Sequence, residues 1–323
     1  LLTSAGKNSL NTKLKKAANI VIKDCLGVKK HEKVVIVTDK FCRTVGYSLW
    51  NALRKITDPI IIEIAPRNIH GDEPPQLVAE ILKQGDVFII PTSRSLTHTS
   101  ARINANRLGA RGATMPGITV ELMERSLNAN YGKIARQTIK LANLLTKAKK
   151  AFIKTQTGTA LELTISTRKG HIDTGIIKKP GNFSNLPAGE AYIAPVENKS
   201  NGNIVVDGSF APIGFLKNKV TLEIKNGQIV SLKGNQRLNA VFKKYGKKER
   251  TLCEFGIGTN PKAKITGNVL EDEKVLGSIH IAFGHNLGFG GKNKAKIHLD
   301  GVIKKPSVWI DEKQIIKKGK FLI

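Results

Sequence analysis

Residues 34–65, VVIVTDKFCRTVGYSLWNALRKITDPIIIEIA, decide the fold class. Val34-Val35-Ile36-Val37 is an unbroken apolar run, as in a strand buried on both faces. Residues 45–56 carry apolar side chains at helical spacing. Pro59 then leads into a second apolar run, residues 60–65. Strand, helix and strand in about thirty residues make a βαβ unit with its two strands parallel in one sheet. Working outward, the pattern repeats. Residues 10–26 have a helical period that Gly27 stops. Asp72-Glu73-Pro74-Pro75 opens a helix running to residue 83, because acidic residues and proline belong in a first turn. Gly85-Asp86 introduces a strand at 87–90, Thr97 or Thr99 caps a helix to residue 108, and Gly109 and Gly112 bracket a short strand at Ala113-Thr114. An amphipathic helix over 131–150 leaves the domain. The expectation is an α/β N-terminal domain, residues 1–150, with a mostly parallel sheet.

From residue 151 the pattern changes. Residues 151–155 and 161–166 look like paired strands around Gly158. Residues 220–225 and 228–232 flank Asn226-Gly227, the strongest short hairpin signal. Further strands are expected at 204–207, 252–256, 278–283, 297–302 and 307–310, with one helix at 235–244. Residues 151–323 are thus expected to form a strand-rich α+β C-terminal domain, and the histidines and carboxylates named below make it the metal-binding one.

Composition narrows the function classes. The chain has 323 residues, 40% hydrophobic and 24% charged, as in a globular protein rather than a disordered or fibrous one. No apolar run reaches the ~18–20 residues of a membrane span. Leu1-Leu2-Thr3-Ser4 is not followed by the apolar stretch of a signal peptide. The three cysteines, Cys25, Cys42 and Cys253, make no CxxC pair and are expected as buried thiols in a reducing, cytoplasmic setting. The net charge of +28 invites a nucleic-acid reading. It is split evenly, however, +14 over residues 1–150 and +14 over 151–323, and only 12 of the 53 basic residues are arginine, the side chain that forks onto phosphates and base edges. A Lys-rich surface is the better reading, and nucleic acid is not an expected partner. A non-enzymatic polyanion binder is kept as an alternative on charge alone.

The N-terminal half has no GxGxxG after its first strand and no P-loop. Residues 91–99 follow the third strand, where open α/β sheets bind ligands, and His98 is either functional there or a loop residue. The second half is richer. His298-Leu299-Asp300 lies in a strand-like run, where side chains two apart share a face and can reach one cation. His280 and Glu254 lie in other strand-like runs among apolar neighbours, and Glu190 closes Leu186-Pro187-Ala188-Gly189-Glu190. Buried carboxylates need a partner, and carboxylates with imidazoles suit Zn, Mn, Co or Fe.

These stretches resemble the metallo-aminopeptidases of the aminopeptidase T and aminopeptidase S type and their leucyl-aminopeptidase-like relatives. The matching segments run in order: 91–102 (PTSRSLTHTSAR), 109–119 (GARGATMPGIT), 186–195 (LPAGEAYIAP), 254–261 (EFGIGTNP), 273–286 (EKVLGSIHIAFGHN) and 298–306 (HLDGVIKKP). The resemblance implies a homodimer and a site of two divalent ions (Zn, Co or Mn, with Fe possible) on Glu190, Glu254, His280, His298 and Asp300. It further implies hydrolysis of the N-terminal residue of a peptide by a metal-activated water, with Glu254 or Glu190 moving the proton. The chain departs from that group in two places. No Tyr follows the first His motif within residues 281–292, and His285 stands where Asp is common. His285 is then an extra ligand or a loop residue, and Gly288-Phe289-Gly290-Gly291 is a close-approach loop beside the site. The alternative on the same scaffold is a ring-opening dioxygenase resembling 2,5-dihydroxypyridine dioxygenase, with one Fe(II) on His280, His298 and Asp300.

Overall fold

Five parallel strands form the first sheet of the protein, in a computed structural model that describes residues 4–323, with side chains from residue 12 onward. The spatial order is Ile60–Ile64, Val34–Asp39, Val87–Ile90, Arg111–Thr114, Phe183–Asn185. Each neighbouring pair is parallel. The three central strands are buried along their whole length, while Ile60–Ile64 is largely accessible, as an edge strand should be. Residues 1–3 lie outside the described part.

Helices alternate with these strands as the sequence predicts. The first, Ser4–Asn19, widens into a π-helical turn at Ile20–Leu26 and stops at Gly27, which takes φ 58° in the left-handed region. Thr99 caps Ser100–Arg107 and Thr119 caps Val120–Ser126, each through its side-chain oxygen. The expected acidic start of the third helix is different. Gln76–Gln84 begins after Pro75, and Glu73 instead accepts the backbone N–H groups of Ser100 and Ala101 at the start of the next helix, at 2.5 and 3.1 Å. A carboxylate there meets the positive end of that helix.

Two compact units divide the chain: Leu1–Ala135 with Thr174–Ala188, and Arg136–Asp173 with Gly189–Ile323. The first contains the parallel sheet. The second contains an eight-stranded sheet and a seven-stranded sheet, antiparallel throughout, that share one apolar cluster. Leu161, Leu163, Ile204 and Leu222 enter it from one sheet, and Ile193, Phe255, Ile257, Ile281 and Phe283 from the other. The hairpin Val220–Lys225 and Gln228–Lys233 turns at Asn226 (φ 47°) and Gly227 (φ 69°), the paired left-handed conformations of a tight hairpin. All three cysteines are buried, and none is in a disulfide. No helix among the described residues is long and apolar enough to cross a membrane.

Candidate metal centre

Four neighbouring strands of the seven-stranded sheet, Glu190–Ile193, Leu252–Gly258, Ile279–Gly284 and His298–Ile303, carry all five expected ligands. Register places them on one face. Glu254 is opposite Ala282, which is opposite Asp300; His280 is opposite Gly256; Glu190 is opposite Gly258 and, on its other side, Asp173. Alternation sends Phe255, Ile257, Ile281 and Phe283 to the core on the reverse face. Small residues between the ligands leave the room. A Cβ on Gly256 would lie 2.0 Å from His280 Cε1, so the imidazole occupies the space that any side chain there would fill.

Glu254 joins the two imidazoles. Its Oε1 is 3.3 Å from His280 Nε2 and its Oε2 is 3.2 Å from His298 Nε2. Asp300 Oδ1 is 3.3 Å from the same His298 nitrogen. Ligand atoms of Glu254, His298 and Asp300 lie within 4.8 Å of one another, close enough to share one ion. Glu190 Oε2 approaches His280 Nε2 at 3.4 Å and is buried without a hydrogen-bond partner.

His298 is oriented from behind. Its Nδ1 donates to the His285 carbonyl at 2.8 Å, which leaves the Nε2 lone pair for the site. His285 therefore acts through its backbone. A β-bulge between Leu252 and Glu254 brings Cys253 Sγ to 3.7 Å from the same Nδ1.

Lys274, Glu273 and Asp173 were not expected here. Lys274 is 2% exposed, and its ammonium donates to Glu190 Oε1 and Glu273 Oε2, with Asp173 at 3.7 Å. Lys274 and Glu273 stand inside the quoted EKVLGSIHIAFGHN segment, but only the fold shows that they point to this face. Asp173 has no sequence signal beyond its place opposite Glu190.

The electrostatics favour positive charge. Burial lowers the pKa of His280, yet Glu190 and Glu254 outweigh it and push the imidazole up to about 9. His298 is raised too, against burial, chiefly by Asp300. Glu254 is held well below the usual carboxylate range by hydrogen bonds to His280 and His298 that overcome burial. The same donors that draw protons onto two imidazoles are those a divalent cation would take in their place. The unpartnered Glu190 oxygen and the carboxylate–imidazole donor set both fit such an ion.

The segment after the third parallel strand is built differently. Asp39 accepts from the Phe41 and Cys42 backbone and from Ser93 N and Oγ, so its carboxylate is fully used in holding the loop. His98 is exposed in the turn before the helix.

A parallel α/β unit, followed by an antiparallel unit whose sheet face gathers carboxylates and imidazoles, defines a two-unit scaffold with a candidate metal centre. The chain belongs to the NicX family, 2,5-dihydroxypyridine 5,6-dioxygenase, which matches residues 14–323. It is 23% identical over 215 residues to the 2,5-dihydroxypyridine 5,6-dioxygenase of Pseudomonas putida KT2440, covering 62% of this chain and 61% of that protein. The solved structure of 2,5-dihydroxypyridine dioxygenase from Pseudomonas putida KT2440 has TM-score 0.79 at 18% identity, covering 97% of both chains. AmpT from Thermus thermophilus has TM-score 0.72 at 15% identity, covering 97% of this chain and 100% of that one. The aminopeptidase T resemblance therefore holds for the scaffold. The expected aminopeptidase activity does not stand: the family match overturns the hydrolase and protease reading. The shared motifs carry the common sheet and its polar face, which do not distinguish the two chemistries.

Proposed function

We propose that the protein is a metal-dependent dioxygenase that opens a hydroxylated nitrogen-heteroaromatic ring of the 2,5-dihydroxypyridine type. The family match over residues 14–323 carries this reading. The donor set supports it. His298, Asp300 and Glu254 would hold one ferrous ion, with His280 adjoining through the second oxygen of Glu254. This differs from the expected two-ion site, and it exchanges His280 for Glu254 in the expected one-ion triad. A ferrous ion supplies the redox chemistry that brings dioxygen and an electron-rich ring together. The chain's own groups then have separate tasks. The His285 carbonyl fixes the His298 tautomer. Lys274 pairs with Glu190 Oε1, Glu273 and Asp173 and so offsets part of the negative charge of the pocket, leaving Glu190 Oε2 for the ion.

The test is direct. The chain, loaded anaerobically with Fe(II) to one ion per chain, is mixed with 2,5-dihydroxypyridine in air-saturated buffer. Oxygen uptake should match loss of the ring's ultraviolet absorbance one for one. An iron-loaded protein that consumes no oxygen with hydroxylated pyridines would falsify the proposal.

A further inference from the structure

Three aromatic rings stand beside the candidate ligands. Tyr192 follows Glu190 by two residues on the same strand and so shares its face, and His171 is opposite Tyr192 on the neighbouring strand. Their rings stack at 5.4 Å with planes 25° apart. Phe289 meets both edge-on, 5.5 Å from Tyr192 and 6.2 Å from His171. It also stands edge-on to His298 at 6.0 Å. Phe289 thus links the aromatic wall to an imidazole of the metal centre. All three rings keep part of their surface accessible, unlike the phenylalanines of the core.

The loop that carries Phe289 is held firmly for so glycine-rich a segment. Arg168 donates to the Gly290 carbonyl and pairs with Glu197, and the two side chains are only 9% and 16% exposed. Glu197 Oε1 accepts from Lys292 N at 2.7 Å and from Asn286 Nδ2 at 3.2 Å. Asn286 Nδ2 also reaches the Cys253 carbonyl at 3.2 Å, and Asn286 Oδ1 accepts from Asn293 N at 2.8 Å. Gly291 permits this closure, since a Cβ there would lie 1.9 Å from Asn286 Cγ. So many bonds around an otherwise exposed loop fix the place of one side chain that the core does not use.

We propose that Phe289, positioned by Arg168 and Glu197, is the specificity-determining residue that seats the flat ring of the substrate beside His298. Edge and face contacts between aromatic rings reward planarity, so a saturated ring of the same size gains less. The inference rests on the dioxygenase reading and adds the residue that selects for a flat ring.

The experiment is anaerobic calorimetric titration of the iron-loaded protein with 2,5-dihydroxypyridine and with the saturated lactam piperidin-2-one, with oxygen uptake measured separately. The wild type should prefer the flat ring. Phe289→Leu should lose about tenfold of that preference with iron content unchanged, and Phe289→Tyr should keep it. Arg168→Met, which frees the loop without touching the ring, should raise KM several-fold at constant kcat. Wild-type preference in Phe289→Leu, or equal binding of flat and saturated rings by the wild type, overturns the inference. Failure to bind 2,5-dihydroxypyridine at all overturns it too. Flat-ring preference that depends on Phe289, without oxygen uptake, supports the seat and removes the dioxygenase reading instead.

Discussion

Glu254 has a different imidazole at each of its oxygens, and its neighbourhood sets how the site answers to protons and metal. In the metal-free protein His280 is held up at about 9 against an ordinary 6.5, and Glu273 is pushed to about 8 from 4.5 by burial and then by Asp300. A group whose folded pKa lies above its unfolded one gives its stabilisation below the unfolded value and loses it as pH rises through the folded value. The urea midpoint of the metal-free chain should therefore fall between pH 6.5 and pH 9. A flat or rising midpoint would contradict the arrangement. Because a cation must displace the same protons, apparent metal affinity should rise with pH across that window, and a dye-competition titration reads it. His298→Ala should lower metal occupancy at least ~10-fold with the far-ultraviolet circular dichroism unchanged, as expected for loss of a ligand. Full occupancy in that variant would move the site elsewhere.

At the scale of elements, two glycines show what the strands demand. Gly256→Ala places a methyl in the His280 ring, on a strand that is buried along its whole length. Expulsion of the imidazole should weaken metal binding and cost about 1–3 kcal/mol of stability. Gly112→Ala, in the parallel sheet, would bring a methyl to 2.3 Å from the Phe88 carbonyl, which is backbone and cannot swing aside. Loss of a similar ~1–3 kcal/mol, with metal content intact, would separate a structural glycine from one that serves the site. Much of this was legible in advance. Apolar runs mark the strands at 34–37 and 87–90, Thr97 or Thr99 marks a cap that the fold assigns to Thr99, Asn226-Gly227 marks a hairpin, and the HxD spacing at 298–300 reports a shared face. Other features have no local signature. Phe183–Asn185 joins the parallel sheet with one apolar residue in three, because its pairing is supplied by Arg111–Thr114 alone. Asp173 reaches the site through register between distant strands, and Glu273 and Lys274 reach it from the turn after the short helix Val269–Asp272, neither of which any spacing in the chain encodes. The chemistry was misread for a related reason: the motifs describe a sheet face that two kinds of enzyme share.

At the scale of the whole molecule, the charge of +28 is spread over both units, with +11 on the first and +17 on the second. Neither concentrates it into a tail. A 30-base-pair duplex should therefore show no tight complex at ~150 mM salt, and any binding at low salt should vanish steeply as salt is added. A retained complex at that ionic strength would reopen the polyanion reading.

The fifth strand of the parallel sheet has a further consequence, for the order of events on the ribosome. Phe183–Asn185 pairs with Arg111–Thr114, yet the chain between them builds the first hairpin of the other unit. At elongation rates of about 5–20 residues per second, the Arg111–Thr114 edge waits several seconds for its neighbour to be made. During that interval its open N–H and C=O groups are a pairing site for other nascent chains. The discontinuous first unit thus adds an interval during synthesis in which an inner strand of the finished sheet stands as an open edge.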